Sequence, residues 1–229
     1  MEANEIHENL MKVISMHQYL AALLIFASFS LHAETKLDCG SDESKNIAKF
    51  STKAKRLTAH ILQVSTAHTK LIFKDKPPYD EELAGTKWQY CGYSTALKMH
   101  LVRKDEDVTF SGVLIEDATA KQLPAGEDVI FTDDGLLYTA FVQPDGLDGR
   151  EMSIYQRDGT LLWQGYDFIE GEKNQIAAYF DESYIHWNSK RNQLQATAMC
   201  YPNKKAGLVT LTRQDNGKWV WLPKVNCQP

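Results

Sequence analysis

Residues 129–163 read VIFTDDGLLYTAFVQPDGLDGREMSIYQRDGTLLW. Within this stretch, Asp134-Gly135 and Asp158-Gly159 each interrupt apolar runs of strand length. A tight β-hairpin needs residues that tolerate positive φ at its tip, and Asp-Gly and Asn-Gly supply them. A third tip of the same kind, Asn216-Gly217, lies near the end of the sequence. The pattern predicts consecutive antiparallel hairpins.

Similar strand patterns recur from Trp88 to the end of the sequence, and the mature part as a whole is expected to contain about nine or ten strands. In residues 96–103 apolar and polar side chains alternate, which predicts one buried face and a wet face that carries Lys98 and His100. The tip glycines lie 24 and then 58 residues apart, so they mark no repeat. We predict a mainly β fold, an antiparallel meander that is barrel-like or a two-sheet sandwich.

The residues before these strands favour a helix. Within residues 41–57, apolar side chains follow one another at steps of three and four, after the cap-like pair Ser41-Asp42. These apolar side chains are Ile47, Phe50, Ala54 and Leu57. We therefore predict one N-terminal amphipathic helix before the β domain.

The first residues are typical of an export signal. Residues 19–31 form an uncharged, mostly apolar run that is too short to span a bilayer, which needs about 20 residues. Lys12 precedes the run, and the small residue Ala33 follows it. This order predicts a signal peptide over residues 1–33 and a single mature domain over residues 34–229.

Two alternatives stay open for the signal. Cleavage after Ser30 also satisfies the preference for small residues, and Met11 is the alternative start because the first ten residues carry three glutamates and no Lys or Arg. In each case we expect export to the periplasm, or secretion, with no stable membrane anchor after cleavage. No lipid-attachment cysteine follows the run directly, since Lys36-Leu37-Asp38 precedes Cys39.

The charge of the predicted mature part is nearly balanced, with 24 basic against 27 acidic residues. Proteins that bind nucleic acid normally concentrate basic residues on one face. Here they are scattered, and the densest group reads as a solvated helix face: Lys49, Lys53, Lys55 and Arg56. The composition therefore argues against nucleic acid as a partner.

All four cysteines lie in the mature part, and none forms a Cys-x-x-Cys pair. An even number of cysteines in an exported chain predicts disulfides. If the last three strands form a meander, Cys200 and Cys227 meet at one end of the sheet, which leaves Cys39 to pair with Cys91. We therefore predict these two bridges.

The sequence offers weak candidates for a site and identifies no catalytic residue. Tyr184, His186 and Trp187 lie next to a predicted hairpin tip, where exposed aromatic rings mark binding surfaces, although core packing is the more common role of such rings. Trp219 and Trp221 belong to a strand that is apolar on both faces. Such a strand is either central or partly covered by a partner.

Metal and cofactor motifs are weaker still. Asp145, Asp148 and Glu151 surround two glycines and are the candidates for a calcium loop, but their spacing departs from the known helix-loop-helix motif and favours a polar hairpin loop. The histidines lack ligand spacing, and the sequence contains no phosphate loop, dinucleotide fingerprint or nucleophile elbow. We expect no bound metal and no cofactor.

These observations favour a non-catalytic periplasmic binding protein, inhibitor-like or immunity-like, that neutralises an envelope-directed protein. Its expected partner is another protein of the envelope. Two alternatives stay open: an envelope hydrolase that acts on glycan or peptide, and a carrier that holds a small ligand inside a barrel. A His–carboxylate pair in a cleft would favour the hydrolase, and an oversized interior cavity would favour the carrier.

Overall fold

The computed structural model describes residues 36–40, 42–79, 85–145, 149–170, 176–188, 193–200, 206–225 and 227. The predicted signal peptide, residues 1–33, lies outside these residues. In the part of the chain that is described, no helix is long and apolar enough to cross a membrane.

The described chain starts with a short strand and one short helix, followed by a three-stranded sheet. The strand β1 is Lys36–Asp38 and the helix α1 is Glu43–Lys49. Sheet I has the strand order β2-β3-β4, with bounds Ala54–Thr58, Ile61–Ser65 and Lys70–Lys74.

The other three sheets are also antiparallel meanders. Sheet II has the order β5-β6-β7-β8, with bounds Thr86–Ser94, Met99–Glu106, Thr109–Glu116 and Gln122–Ala125. Sheet III has the order β1-β9-β10-β11-β12, in which β9 to β12 are Asp128–Phe131, Leu137–Val142, Glu151–Gln156 and Leu161–Tyr166. Sheet IV has the order β13-β14-β15-β16-β17, with bounds Phe168–Glu170, Ile176–Asn188, Gln193–Cys200, Ala206–Arg213 and Trp219–Leu222.

The mainly β, antiparallel fold is therefore confirmed, but the strands are more numerous than expected. The described residues form 17 strands in four sheets, where the sequence pattern led us to expect nine or ten in one barrel or two sheets. The last three strands form the consecutive meander on which the prediction for Cys200 and Cys227 depended.

The four sheets pack face to face in the order I, II, III and IV. Three apolar clusters fill the three interfaces. The first contains Leu62 and Tyr90 from sheets I and II. The second contains Leu101 and Tyr138 from sheets II and III, and the third joins sheets III and IV through a set that includes Ile154. Sheets II and III are thus covered on both faces.

This double coverage corrects the prediction for residues 96–103. Strand β6 starts at Met99, and His100 is fully buried together with Leu101 and Val102. One face of β6 packs on sheet III and the other on sheet I, so neither face is solvent-exposed. Lys98 lies outside the strand, in a turn with φ of 55°. A local pattern cannot reveal a second covering sheet that comes from earlier in the chain.

The helix prediction over residues 41–57 is also corrected, since α1 ends at Lys49. The Asp42 side chain caps α1 by accepting the Lys45 N–H at 3.2 Å. The Phe50 carbonyl then accepts the N–H groups of Lys53 and Ala54 in a turn, and Ala54 enters β2 opposite Val64. The apolar spacing continues past the turn, but only Ala54 joins the core, whereas Leu57 is 47% exposed on β2.

Two disulfides link Cys39 with Cys91 and Cys200 with Cys227, and these are the pairs proposed from the sequence. Their Cα atoms are 4.3 Å and 5.4 Å apart. The first bridge ties β1 to sheet II, and the second ties the end of β15 to the segment that follows β17. Because thiols remain reduced in the cytosol, the two bridges indicate an oxidising, extracytoplasmic compartment.

Candidate functional site

Three hairpin tips from two different sheets lie around one groove. The tips join β9 to β10, β11 to β12, and β16 to β17, and they are the three Asp-Gly and Asn-Gly tips that the sequence singles out. The groove between them has a volume of about 640 Å³. We call it the tip groove, lined by Leu136, Leu137, Gln156, Arg157, Asp158, Leu162, Arg213 and Trp219.

The three tips share one hydrogen-bonding plan, which fixes their shape. In each tip the side chain of the residue before glycine accepts the backbone N–H two positions ahead, as Asp158 does from Thr160 at 2.9 Å. Asp134 accepts the Leu136 N–H at 3.0 Å, and Asn216 accepts the Lys218 N–H at 3.0 Å. The glycines that follow have φ of 67°, 91° and 81°. These turns hold the groove walls in place without help from a ligand.

The walls of the tip groove are largely apolar and unusually accessible. Leu136 is 61% exposed at the first tip. Leu162 of β12 and Trp219 of β17 are half-buried and pack on the cluster between sheets III and IV. Beside them, Leu161 is 50% exposed. Solvent-exposed apolar side chains that lie together mark a binding surface.

The groove also carries two guanidinium groups. Arg157 is held in place because its Nη2 donates to the Leu97 carbonyl at 2.7 Å and its guanidinium lies 5.9 Å from the centre of the Phe131 ring. Arg213 is exposed at the end of β16. Within the described ranges neither arginine forms an ion pair. Asp158, the one carboxylate of the lining, is engaged by Thr160, and its pKa is lowered by that backbone hydrogen bond.

A second polar cluster is built around Asp117 inside the stack, and it is largely buried, with the Lys53 and Asp117 side chains 28% and 12% exposed. The Lys53 Nζ donates to both Asp117 carboxylate oxygens at 2.9 Å, and the Tyr93 hydroxyl donates to one of them at 3.3 Å. His100 Nε2 lies 3.2 Å from Asp117, and its Nδ1 lies 3.2 Å from the Tyr90 hydroxyl. We call these five residues the Asp117 network.

The protonation of this network follows from its partners. Burial lowers the pKa of His100, so the ring is neutral, with Nε2–H donating to Asp117 and Nδ1 accepting from Tyr90. Burial alone would raise the pKa of Asp117, but the hydrogen bonds from Lys53 and His100 together outweigh it and hold that pKa below its usual value. Burial raises the pKa values of Tyr90 and Tyr93. A neutral imidazole with both nitrogens occupied has no position for a substrate proton.

The predicted aromatic candidates are separated by the pleat of β14. Tyr184 is 58% exposed and His186 is also exposed, whereas Trp187 is buried. The Trp187 Nε1–H donates to the Ile130 carbonyl at 3.1 Å, which places this ring in the core between sheets III and IV. Successive side chains of a strand point to opposite faces, so the three cannot act from one surface. None of them lines the tip groove.

The predicted calcium candidates lie only in part within the described residues. Asp148 lies outside the described residues. Glu151 belongs to β11 and accepts a hydrogen bond from Gln164 at 3.1 Å. Asp145 precedes the gap in the described chain. Among the described residues, no group of three or more His, Cys, Asp or Glu side chains is arranged to hold a metal ion.

Comparison of the chain with protein-family models, with curated proteins and with solved structures finds no match. The site must therefore be interpreted from its own residues.

The sequence reasoning found the tips but missed the side chains that make them a site. Arg157 directly precedes Asp158-Gly159, and Arg213 lies three residues before Asn216. The sequence did contain a signal for these side chains, because an arginine lies just before two of the three similar tips. Its meaning depends on the convergence of sheets III and IV, which brings Arg157 and Arg213 to one groove although they are 56 residues apart in sequence.

Proposed function

We propose that this chain is an exported periplasmic binding protein without catalytic activity, which holds another envelope protein at the tip groove and thereby neutralises it. The observation that carries this proposal is the groove itself, where apolar walls meet two arginines without ion-pair partners. Protein interfaces are enriched in aromatic residues and arginine, and these residues supply most of the binding energy at hot spots. Trp219, Arg157 and Arg213 have this chemistry.

The position of β17 supports the same function. Its residues Trp219 and Trp221 lie on a strand that is apolar on both faces, yet β17 is the edge strand of sheet IV. Within the described residues β17 pairs with β16 alone, which argues against the central role. A strand partly covered by a partner remains, and β17 contributes Trp219 to the groove.

The Asp117 network is the feature closest to the alternative, an envelope hydrolase, because it contains a His–carboxylate pair. The pair lies within the packed interface of sheets I and II, and His100 is fully buried. Its geometry is that of a structural network in which each polar atom satisfies another. The packed clusters between all four sheets likewise favour a binding surface over a carrier with an interior ligand cavity.

The proposal also specifies the compartment, which is the periplasm. The disulfides indicate an extracytoplasmic location, and the signal pattern at residues 12–33 favours the periplasm, where an envelope protein would be within reach. N-terminal sequencing of the exported protein tests this assignment, with Glu34 expected as the first residue. A start at Met1 or Met11 would contradict it.

A pull-down with matched variants tests the binding function. The tagged mature protein is compared with R157E/R213E and with K55E/K87E, which makes the same charge change at exposed lysines of sheets I and II. We expect one stoichiometric envelope protein with the wild type and with K55E/K87E, lost with R157E/R213E, and the interaction reproduced with both proteins purified. Equal capture by all three would contradict the groove assignment. Hydrolysis of cell-wall material by the purified chain, without a captured protein, would overturn the proposal in favour of the hydrolase.

A further inference from the structure

The four sheets present eight edge strands, and most of them carry features that hinder pairing with a further strand. Proteins protect edges with charged residues, proline or short length, because an exposed edge has a row of unpaired N–H and C=O groups. Lysine or arginine lies within four of the edges, β1, β2, β4 and β5. Pro124 lies within β8, and the three-residue β13 ends with Glu170.

Two edge strands, β5 and β17, are protected in other ways. The outward N–H groups of β5 are occupied, since Trp88 donates to the Asp75 carboxylate at 2.9 Å and Tyr90 donates to Glu43 at 2.7 Å. Strand β17 is four residues long and is bounded by Lys218 and Pro223. The fold thus blocks strand addition at seven edges.

Strand β12 differs from these seven edges, although its pairing with β11 shifts register once, at Leu162, as in a β-bulge. It has six residues, LLWQGY, with neither a charged residue nor a proline. It pairs with β11 on one side, and within the described ranges it has no neighbour on the other. Leu161 and Tyr166 are 50% and 42% exposed along it. The carboxylate that follows the strand, Asp167, is buried and faces Arg150 at 3.5 Å, so it does not repel an incoming strand.

The β12 edge adjoins the tip groove. Leu162 of β12 lines the groove, and Arg157 lies in the tip just before β12 starts. On the other wall, Trp219 and Arg213 come from sheet IV, and the Trp221 ring contacts Trp163 of β12 with a centroid distance of 6.4 Å. An extended segment alongside β12 would therefore pass the apolar walls and end near both guanidinium groups.

We propose that the partner contributes an extended acidic segment that adds to sheet III as a strand along β12 and places a carboxylate at Arg157 and Arg213. This inference rests on the proposed function and specifies its mode. Main-chain hydrogen bonds to β12 supply affinity, alternate apolar side chains contact the groove walls, and charge complementarity sets the position of the segment. A partner that docked through a helix or a rigid loop would leave the β12 amides exposed.

The test uses random twelve-residue peptides displayed on phage and selected on the intact mature protein. We expect enriched peptides in which apolar residues alternate and Asp or Glu recurs at one end, with binding lowered at least tenfold by R157E/R213E and unchanged by K55E/K87E. Each selected peptide is then synthesised with N-methyl groups on its odd or on its even residues. Strand addition predicts that one of the two sets loses affinity at least tenfold more than the other, because alternate N–H groups of an added strand face β12.

Amide hydrogen exchange of the protein separates the two proposals. Slowing of exchange in β12 by at least tenfold on peptide binding supports strand addition. Peptides that need the arginines but leave exchange in β12 unchanged, or that lose affinity equally with either N-methyl set, overturn strand addition while the groove remains the binding site. A selection without any arginine-dependent peptide also overturns strand addition, and the pull-down then decides the proposed function by itself.

Discussion

The Asp117 network and the tip groove both collect charged and polar groups between sheets, but they differ in whether those groups have partners. In the network, Lys53, Tyr93 and His100 lie within hydrogen-bonding distance of Asp117, and the Tyr90 hydroxyl lies within that distance of His100. In the groove, Arg157 and Arg213 form no ion pair in the part of the chain that is described. Satisfied buried groups stabilise a fold, whereas accessible charges without a partner are free to bind one.

Substitution of Asp117 should have the largest effect on stability. Asp117→Ala leaves the Lys53 ammonium and the His100 Nε2–H without their acceptor in a largely buried position, so we expect the free energy of unfolding to fall by about 3 kcal/mol. The control is Asp133→Ala, which removes an exposed carboxylate at a tip and should change stability by less than about 0.5 kcal/mol. Urea unfolding measures both. A similar small loss in the two variants would show that the network does not stabilise the fold.

Acidification should have the second-largest effect on stability, and it acts through the Asp117 network. The folded-state pKa of His100 lies below its usual value of 6.5, so above that pH both states are neutral, and below it the unfolded chain binds the proton first. Stability should therefore fall as the pH drops below about 6.5, with a slope of at most about 1.4 kcal/mol per pH unit for this one group, and level off below the folded-state pKa. Asp117 adds a further loss as the pH falls below 3.8.

Unfolding measured between pH 7.5 and 5 in the wild type and in His100→Gln tests this pH dependence. The variant is expected to be less stable but to show a shallower slope over this range. The control is His186→Gln, on an exposed ring, which removes a histidine from the outer surface of the fold. An equal slope in the wild type and in His100→Gln would contradict the assignment.

Among the groove residues, substitution of the apolar wall residue Leu136 should have the largest effect, and it should lower affinity without changing stability. Leu136→Asp places a carboxylate among the walls, beside the site proposed for an acidic segment, and should weaken the captured protein's affinity about tenfold, or about 1.4 kcal/mol. Leu208→Asp is the matched control, since the two leucines are 61% and 57% exposed. Calorimetric titration measures affinity, and thermal unfolding should show no difference between the variants. Equal loss of affinity in both would place the binding surface elsewhere.

Loss of one arginine should have the smallest effect on the fold and a distinct effect on salt dependence. Arg213→Ala should change stability by less than about 0.5 kcal/mol, because Arg213 is exposed. Affinity of the wild type should decline with added salt, since salt screens exposed charges beyond a Debye length of about 10 Å at 0.1 M. With added salt, the affinity of Arg213→Ala should decline less steeply than that of the wild type, and the affinity of Lys55→Ala should decline as steeply as that of the wild type. Identical salt curves for all three proteins would argue against charge complementarity.

Particular residues show how far the sequence leads toward this fold and site. Asp134-Gly135, Asp158-Gly159 and Asn216-Gly217 were identified as hairpin tips because positive φ is a local requirement, and the structure has a turn at each. By contrast, the helix was extended past Lys49 because the spacing of Ala54 and Leu57 imitates a helical face. Periodicity over four residues does not distinguish a helix that continues from one that turns into a strand.

The sequence by itself determined the short-range features of this protein: the antiparallel hairpins, the polar tips, and a disulfide arrangement that follows from the order of the last strands. Tertiary structure alone decided that sheets I and III cover both faces of sheet II, which turned His100 from an expected surface residue into a buried one. It also decided that tips from sheets III and IV share one groove, and that β12, which carries neither a charged residue nor a proline, is an edge strand among the described residues. The physical reason is that turn geometry depends on the dihedral preferences of neighbouring residues, whereas burial and convergence depend on which distant surfaces exclude water from one another.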